Sequence, residues 1–174
     1  MDVDDAGSTP EELESRAPTE TDLAQLCRHL NEQAAQYVVV GGFAIIQAGF
    51  PRSTVDLDIV IDTRPENEAR VFKALESLPD KAVHQLQIGE VDRYTVVRIA
   101  DEIVVDLMKS ACGVDYAEAS RDVVVREVQG VPIPFASPRL LWRMKKPTHR
   151  EKDAPDLLFL KQYFAARGET PPDC

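Results

Sequence analysis

The spacing of apolar positions changes period several times along the chain, and each change predicts an element. After Thr19 or Thr21, either of which can cap a helix, Leu23, Leu26, Cys27, Leu30 and Ala34 recur at helical spacing. Tyr37 to Val40 (YVVV) is a compact, mostly β-branched run and reads as a buried strand. Gly41-Gly42 breaks it. The following FAIIQAGF has no alternation and suits a short helix that stops near Gly49, ahead of Pro51. Ser53 to Ile61 (STVDLDIVI) reads as a second strand with two acids inside it, and Pro65 opens a helix through Val71, Phe72, Leu75 and Leu78. Arg93 to Ile99 and Ile103 to Met108 read as strands joined around Ala100-Asp101-Glu102. Val123 to Val128 and Val131 to Phe135 flank Gly130 as a hairpin. Helical spacing returns after Ser137, with Pro138 ahead of Leu140, Leu141 and Met144, and a final helix is expected over roughly 154–166.

These elements predict a mixed α/β (α+β) domain with a helical C-terminal portion and no internal repeat. The expected organisation is a flexible acidic N-terminal arm over 1–20, a core over 21–136, a helical extension of the same domain over 137–168, and a frayed tail over 169–174. A short helical turn from Thr9 is expected within the arm. The 174 residues are enough for one hydrophobic core but not for two large ones.

Composition refines this picture at two points. Hydrophobic residues at 44% and charged residues at 29% are globular values. The formal net charge of −10 makes the average surface unattractive to nucleic acid or an anionic membrane, without excluding a local basic groove. Residues 1–22 hold eight acids against the single Arg16, so most of the imbalance belongs to the arm. Three scattered cysteines and three separated histidines make no zinc pattern. With no apolar run of membrane length and an acidic N-terminus, a cytoplasmic protein without a membrane partner is expected.

The candidate chemistry lies in Asp56 and Asp58. A strand turns every second side chain to one face, so D-L-D would present both carboxylates together, with Cα atoms roughly 6–7 Å apart. Thr54 would share that face, while Leu57 and Ile59 would point to the core. An edge strand that shows acids to solvent to discourage pairing is the other reading of the same residues. A third acid, Asp106, sits between Val105 and Leu107 in IVVDLM. If the two strands lie side by side, three carboxylates converge, and their repulsion calls for a cation such as Mg²⁺, which favours oxygen ligands.

Gly41-Gly42 joins a strand to a helix, where absent Cβ atoms and free N–H groups suit a phosphate, although an ordinary turn has the same letters. Neither GxGxxG nor GxxxxGK[ST] is present. Arg52 could reach a phosphate or simply be solvated. Arg139, Arg143, Lys145, Lys146, His149, Arg150 and Lys152 form a positive block, read either as a solvated helix face or as a cleft wall against phosphates. Asp153 could cap the last helix or orient Lys152 or Lys145, and Asp156 reads as a structural or supporting acid. Trp142 is expected to pack.

Together, YVVVGGFAIIQAGFPRSTVDLDIVI and EIVVDLM resemble the nucleotidyltransferase-fold superfamily, most of all its AbiEii-like and minimal nucleotidyltransferase members of toxin–antitoxin type. The segment PIPFASPRLLWRMKKPTHREKDAPDLLFLKQYF is similar to their C-terminal region, except that Pro147-Thr148 stands where small apolar residues are expected. The resemblance implies a nucleotidyltransferase-like mixed sheet flanked by helices. It also implies transfer of a nucleoside monophosphate from an NTP (ATP or CTP) to an acceptor hydroxyl. On this likeness Asp56, Asp58 and Asp106 are catalytic and bind Mg²⁺. Gly41 and Gly42 hold the nucleotide phosphates, and Arg52, Thr54, Lys145 and Lys152 are candidates to contact the nucleotide. The implied acceptors are a tRNA, a partner protein or an aminoglycoside-like small molecule, with a cognate toxin or antitoxin as a further partner. A catalytically silent nucleotide-binding or interaction module is the rival reading.

Overall fold

The sheet is built outward from Tyr37–Val40, here β1, in which all four residues are buried. A strand covered on both faces carries an unbroken apolar run, as YVVV does. The structure is a computed structural model, and it describes residues 14–173. The remaining strands are β2 (Leu57–Ile61), β3 (Val96–Ala100), β4 (Val104–Met108), β5 (Ser110–Ala111), β6 (Val114–Asp115), β7 (Val123–Val128) and β8 (Val131–Ala136). Six of them form one sheet in the order β3-β4-β2-β1-β8-β7, and β5 pairs separately with β6. The sheet is mixed: β1–β2, β3–β4 and β7–β8 are antiparallel, whereas β2–β4 and β1–β8 are parallel.

Helices flank the sheet. They are α1 (Glu20–Glu32), α2 (Gly41–Ala48), α3 (Pro65–Leu75), α4 (Glu90–Tyr94), α5 (Tyr116–Ala119), α6 (Pro138–Lys145) and α7 (Ala154–Ala166). α1 packs on α3 and β8; α2 packs on β1, β2 and α6, and α6 packs on α7. Thr19 starts α1 with a capping box: its hydroxyl accepts from the Asp22 N–H, and the Asp22 carboxylate accepts from the Thr19 N–H. Ser137 caps α6 by accepting from the Leu140 N–H, ahead of Pro138 in the first turn. Trp142 does pack, edge-on to Phe164 at 6.2 Å between ring centres.

Several boundaries differ from the sequence expectation for identifiable reasons. The second strand begins at Leu57 rather than Ser53. Its antiparallel partner ends at Val40, opposite Asp58, because the chain turns into α2 at Gly41, so residues 53–56 have no β1 residue to pair with. The stretch before β3 is the helical turn α4, held by the buried Glu68 carboxylate, which accepts from the N–H groups of Gly89 (2.7 Å) and Val91 (3.2 Å). α3 ends at Leu75 instead of reaching Leu78, which precedes Pro79, a position unfavourable to helix. The turn expected from Thr9 and Cys174 lie outside the described residues. From Ser15 onward the chain follows the β3–β4 turn: the Ser15 hydroxyl donates to the Asp101 carbonyl (2.6 Å) and the Arg16 N–H to the Glu102 carbonyl (2.9 Å).

Candidate functional site

Parallel pairing of β2 with β4 sets Asp58 directly opposite Asp106. Leu57 and Ile59 on one strand, and Val105 and Leu107 on the other, are fully buried on the opposite side of the chain path. The register therefore follows from the apolar neighbours, because a slip of one residue would drive both acids into the core. Asp56, immediately before β2, completes the group. One carboxylate oxygen from each of Asp56, Asp58 and Asp106 lies within 4.8 Å of the other two. Asp106 is buried, and Asp56 and Asp58 are half-buried.

This convergence is electrostatically costly. Burial, followed by repulsion from Asp56 and Asp106, pushes the Asp58 carboxyl up to about 7. Burial and then Asp106 also raise Asp56, against the pull of Arg98 and Lys152. Three hard oxygen donors under mutual repulsion form a donor set that fits a divalent cation of the Mg²⁺ type.

Arg98 is the site residue that escaped the sequence reading. It faces Asp106 across the antiparallel β3–β4 ladder. Its Nε donates to Asp106 Oδ1 (2.9 Å), and one terminal nitrogen donates to Asp106 Oδ2 (3.0 Å) and Asp56 Oδ2 (3.1 Å). The signal lay in the alternation of VVRIA, where Arg98 is the only charged residue.

Gly41-Gly42 forms the first turn of α2 and closes over the acids. Gly41 has φ +69°, and a Cβ there would overlap the Asp58 carboxylate. At Gly42 a Cβ would come within 2.5 Å of Thr54 Oγ1. The space vacated by both glycines is thus filled by the chain's own side chains. Thr54 lies before the strand, not on its acidic face, and its hydroxyl donates to the Asp56 carbonyl (3.1 Å), which shapes the approach to β2.

The C-terminal block divides instead of forming one positive wall. Arg52 makes a bidentate pair with Asp156, at 2.8 and 2.9 Å, so its guanidinium is already committed within the protein. Lys145 is buried between Asp153 (3.4 Å) and Asp156 (3.2 Å). Asp153 does not cap α7 with its side chain; its carboxylate accepts from Thr148 (2.6 Å) and Arg150 (2.9 Å) and stays below its usual range. Burial works against that shift, and the surrounding donors and cations prevail. α6 stops at Lys145, and Pro147-Thr148 lies in a 3₁₀ turn, so the departure at these residues has a structural counterpart. Arg143 pairs with Glu118, and Lys146 lies over the Trp142 ring. Lys152 is exposed and has no ion pair among the described residues.

These elements enclose a cleft of about 220 Å³. Asp56 and Asp58 form part of its lining, Gly41-Gly42 and Arg52–Val55 another part, and Lys145, Arg150, Lys152, Asp153 and Asp156 the rest. No known family profile and no curated protein sequence matches the chain. Solved structures do. The lincosamide antibiotic adenylyltransferase LnuA, in a lincomycin-bound structure, superposes with a TM-score of 0.56 at 16% identity, over 84% of this chain and 98% of that one. An antigenic nucleotidyltransferase-like protein from Paracoccidioides brasiliensis superposes with a TM-score of 0.53 at 16% identity, over 83% of this chain and 75% of that one. The fold is nucleotidyltransferase-like. At this identity the likeness concerns the fold alone, and the acidic cluster is a property of this chain's own geometry. Among the described residues no helix is long and apolar enough to cross a membrane.

Proposed function

We propose that this chain is a metal-dependent nucleotidyltransferase that moves a nucleoside monophosphate from an NTP to an acceptor hydroxyl and releases pyrophosphate. The observation that carries this reading is the convergence of Asp56, Asp58 and Asp106, the first two of which line the cleft, within a nucleotidyltransferase-like fold. Asp56 and Asp58 would hold Mg²⁺ jointly with Asp106. Bound there, the metal would neutralise triphosphate charge and lower the pKa of the attacking hydroxyl. Asp106 is the candidate to accept the hydroxyl proton. The first turn of α2, at Gly41-Gly42, offers backbone N–H groups to the triphosphate. Lys152, exposed at the rim and without an ion pair among the described residues, is the cation best placed to meet it. Arg52 and Lys145 line the cleft while paired to Asp156, and so fix its shape.

The test is incubation with Mg²⁺ and each labelled NTP, ATP and CTP first, using wild type and Asp58→Asn. Transfer by the wild type that disappears in a folded Asp58→Asn protein supports the reading. Full activity in the variant removes the assignment; a wild type that binds Mg·NTP without transferring label favours a silent nucleotide-binding module, and one that does not bind it favours an interaction module.

The acceptor is separable by the same label. The likeness to a lincosamide adenylyltransferase over 98% of its length favours a hydroxylated small molecule of the antibiotic class. Labelling of RNA, particularly tRNA, or of a co-purified protein would instead favour the toxin–antitoxin role that the sequence resemblance suggests.

A further inference from the structure

Arg98 stands against the triad from β3, and it is absent from the lining of the cleft. A cation entering from the cleft side would meet Asp56 and Asp58 directly. Asp106, the third acid, already gives both carboxylate oxygens to the Arg98 fork, which also reaches one oxygen of Asp56. Bidentate charge-assisted bonds of this kind are the strong ones. The Arg98 side chain is 61% exposed whereas that of Asp106 is 9% exposed, so the guanidinium can leave into water while the carboxylate stays.

We propose that Arg98 is the resident counter-cation of the metal-free triad, and that a divalent ion enters by exchanging with it at Asp106. The inference depends on the triad being a cation site, as in the function proposed above. Without an ion, the guanidinium offsets the repulsion among the three carboxylates by holding Asp106 and Asp56. With an ion arriving, the same guanidinium opposes binding twice. It competes for Asp106 oxygens, and its positive charge lies beside the incoming one. Once displaced, it is a mobile cation on the side of the triad away from Gly41-Gly42.

Mn²⁺ titration followed by calorimetry or electron paramagnetic resonance, without nucleotide, tests this independently of catalysis. Arg98→Gln is expected to bind Mn²⁺ about tenfold more tightly than wild type, given the usual strength of a charged bidentate hydrogen bond. In EDTA the variant should melt at a lower temperature than wild type, and saturating Mn²⁺ should close the gap. Equal or weaker Mn²⁺ binding by a folded Arg98→Gln protein would overturn the exchange and leave only a scaffolding role. Should Arg98→Gln not fold, Arg98→Lys carries the test, since an ammonium cannot fork both oxygens. Tighter Mn²⁺ binding than wild type supports the proposal, and equal or weaker binding overturns it. Absence of Mn²⁺ binding in wild type and variants alike would remove the cation site itself together with the exchange. Equal binding in all of them would remove only the exchange.

Discussion

Asp58 concentrates the chemistry of the site in one side chain. Burial and two neighbouring acids raise it to about 7, so the metal-free protein holds a proton there at mildly acid pH. The sign of the linkage follows: a carboxyl raised above its unfolded value of 3.8 binds more protons folded than unfolded between about 4 and 7. Stability in EDTA should therefore fall as pH rises through that window, and Asp58→Asn should flatten the slope in a series of thermal melts. Metal binding must expel the same proton. Mn²⁺ affinity is expected to rise about tenfold per pH unit below 7 and then level off, as read by titration at fixed ionic strength. An affinity independent of pH between 5 and 7 would remove Asp58 from the ligand set. Asp58→Asn should also abolish nucleotide transfer, measured with labelled NTP, while near-native thermal melting and circular dichroism report an intact fold.

At the scale of elements, the β1–α2 junction and the β2–β4 pair act as one device. β1 ends where α2 must start, and the first helical turn lies on Asp58. Gly41 meets two constraints, a left-handed φ of +69° and contact with the Asp58 carboxylate. Gly41→Ala is therefore expected to cost about 1–2 kcal/mol for the backbone conformation alone, in denaturant unfolding. It should also weaken Mn²⁺ binding, because the new Cβ must push Asp58 aside. Stability lost without any change in Mn²⁺ affinity would show that Asp58 can move without penalty. Parallel β2–β4 pairing is the other half of the device, since it converts two acids far apart in sequence into neighbours.

Across the whole molecule, the cleft is held by a buried ion-pair network that links the loop before β2 to α6 and α7. Asp156, 2% exposed, receives Arg52 from one side and Lys145 from the other. Asp156→Ala would leave Lys145 with Asp153 alone and Arg52 with no carboxylate partner among the described residues. Removing one member of a buried pair typically costs about 3–5 kcal/mol, and a loss toward the lower end is expected here because Arg52 retains some solvent. Equilibrium unfolding measures it, and a loss below about 1 kcal/mol would mean that water replaces the network. The acidity of the chain has little bearing on this region, because it is concentrated in the first 22 residues, whereas the cleft places four basic side chains beside four acidic ones.

Periodicity alone was enough to read β1, α1, α7 and the β7–β8 hairpin, because local spacing and capping residues decide those elements. The pair Asp56–Asp58 and the later Asp106 were visible as acids inside apolar runs, and the glycines were visible as breaks. Their proximity was not legible. It depends on which strands pair and in which direction, and long-range burial of Leu57, Ile59, Val105 and Leu107 sets that register. The side of the ladder occupied by Arg98, and the commitment of Arg52 and Lys145 to Asp156, were equally hidden. A charge in a sequence has no partner until packing selects one, and the cost of leaving a buried charge unpaired makes that selection strict.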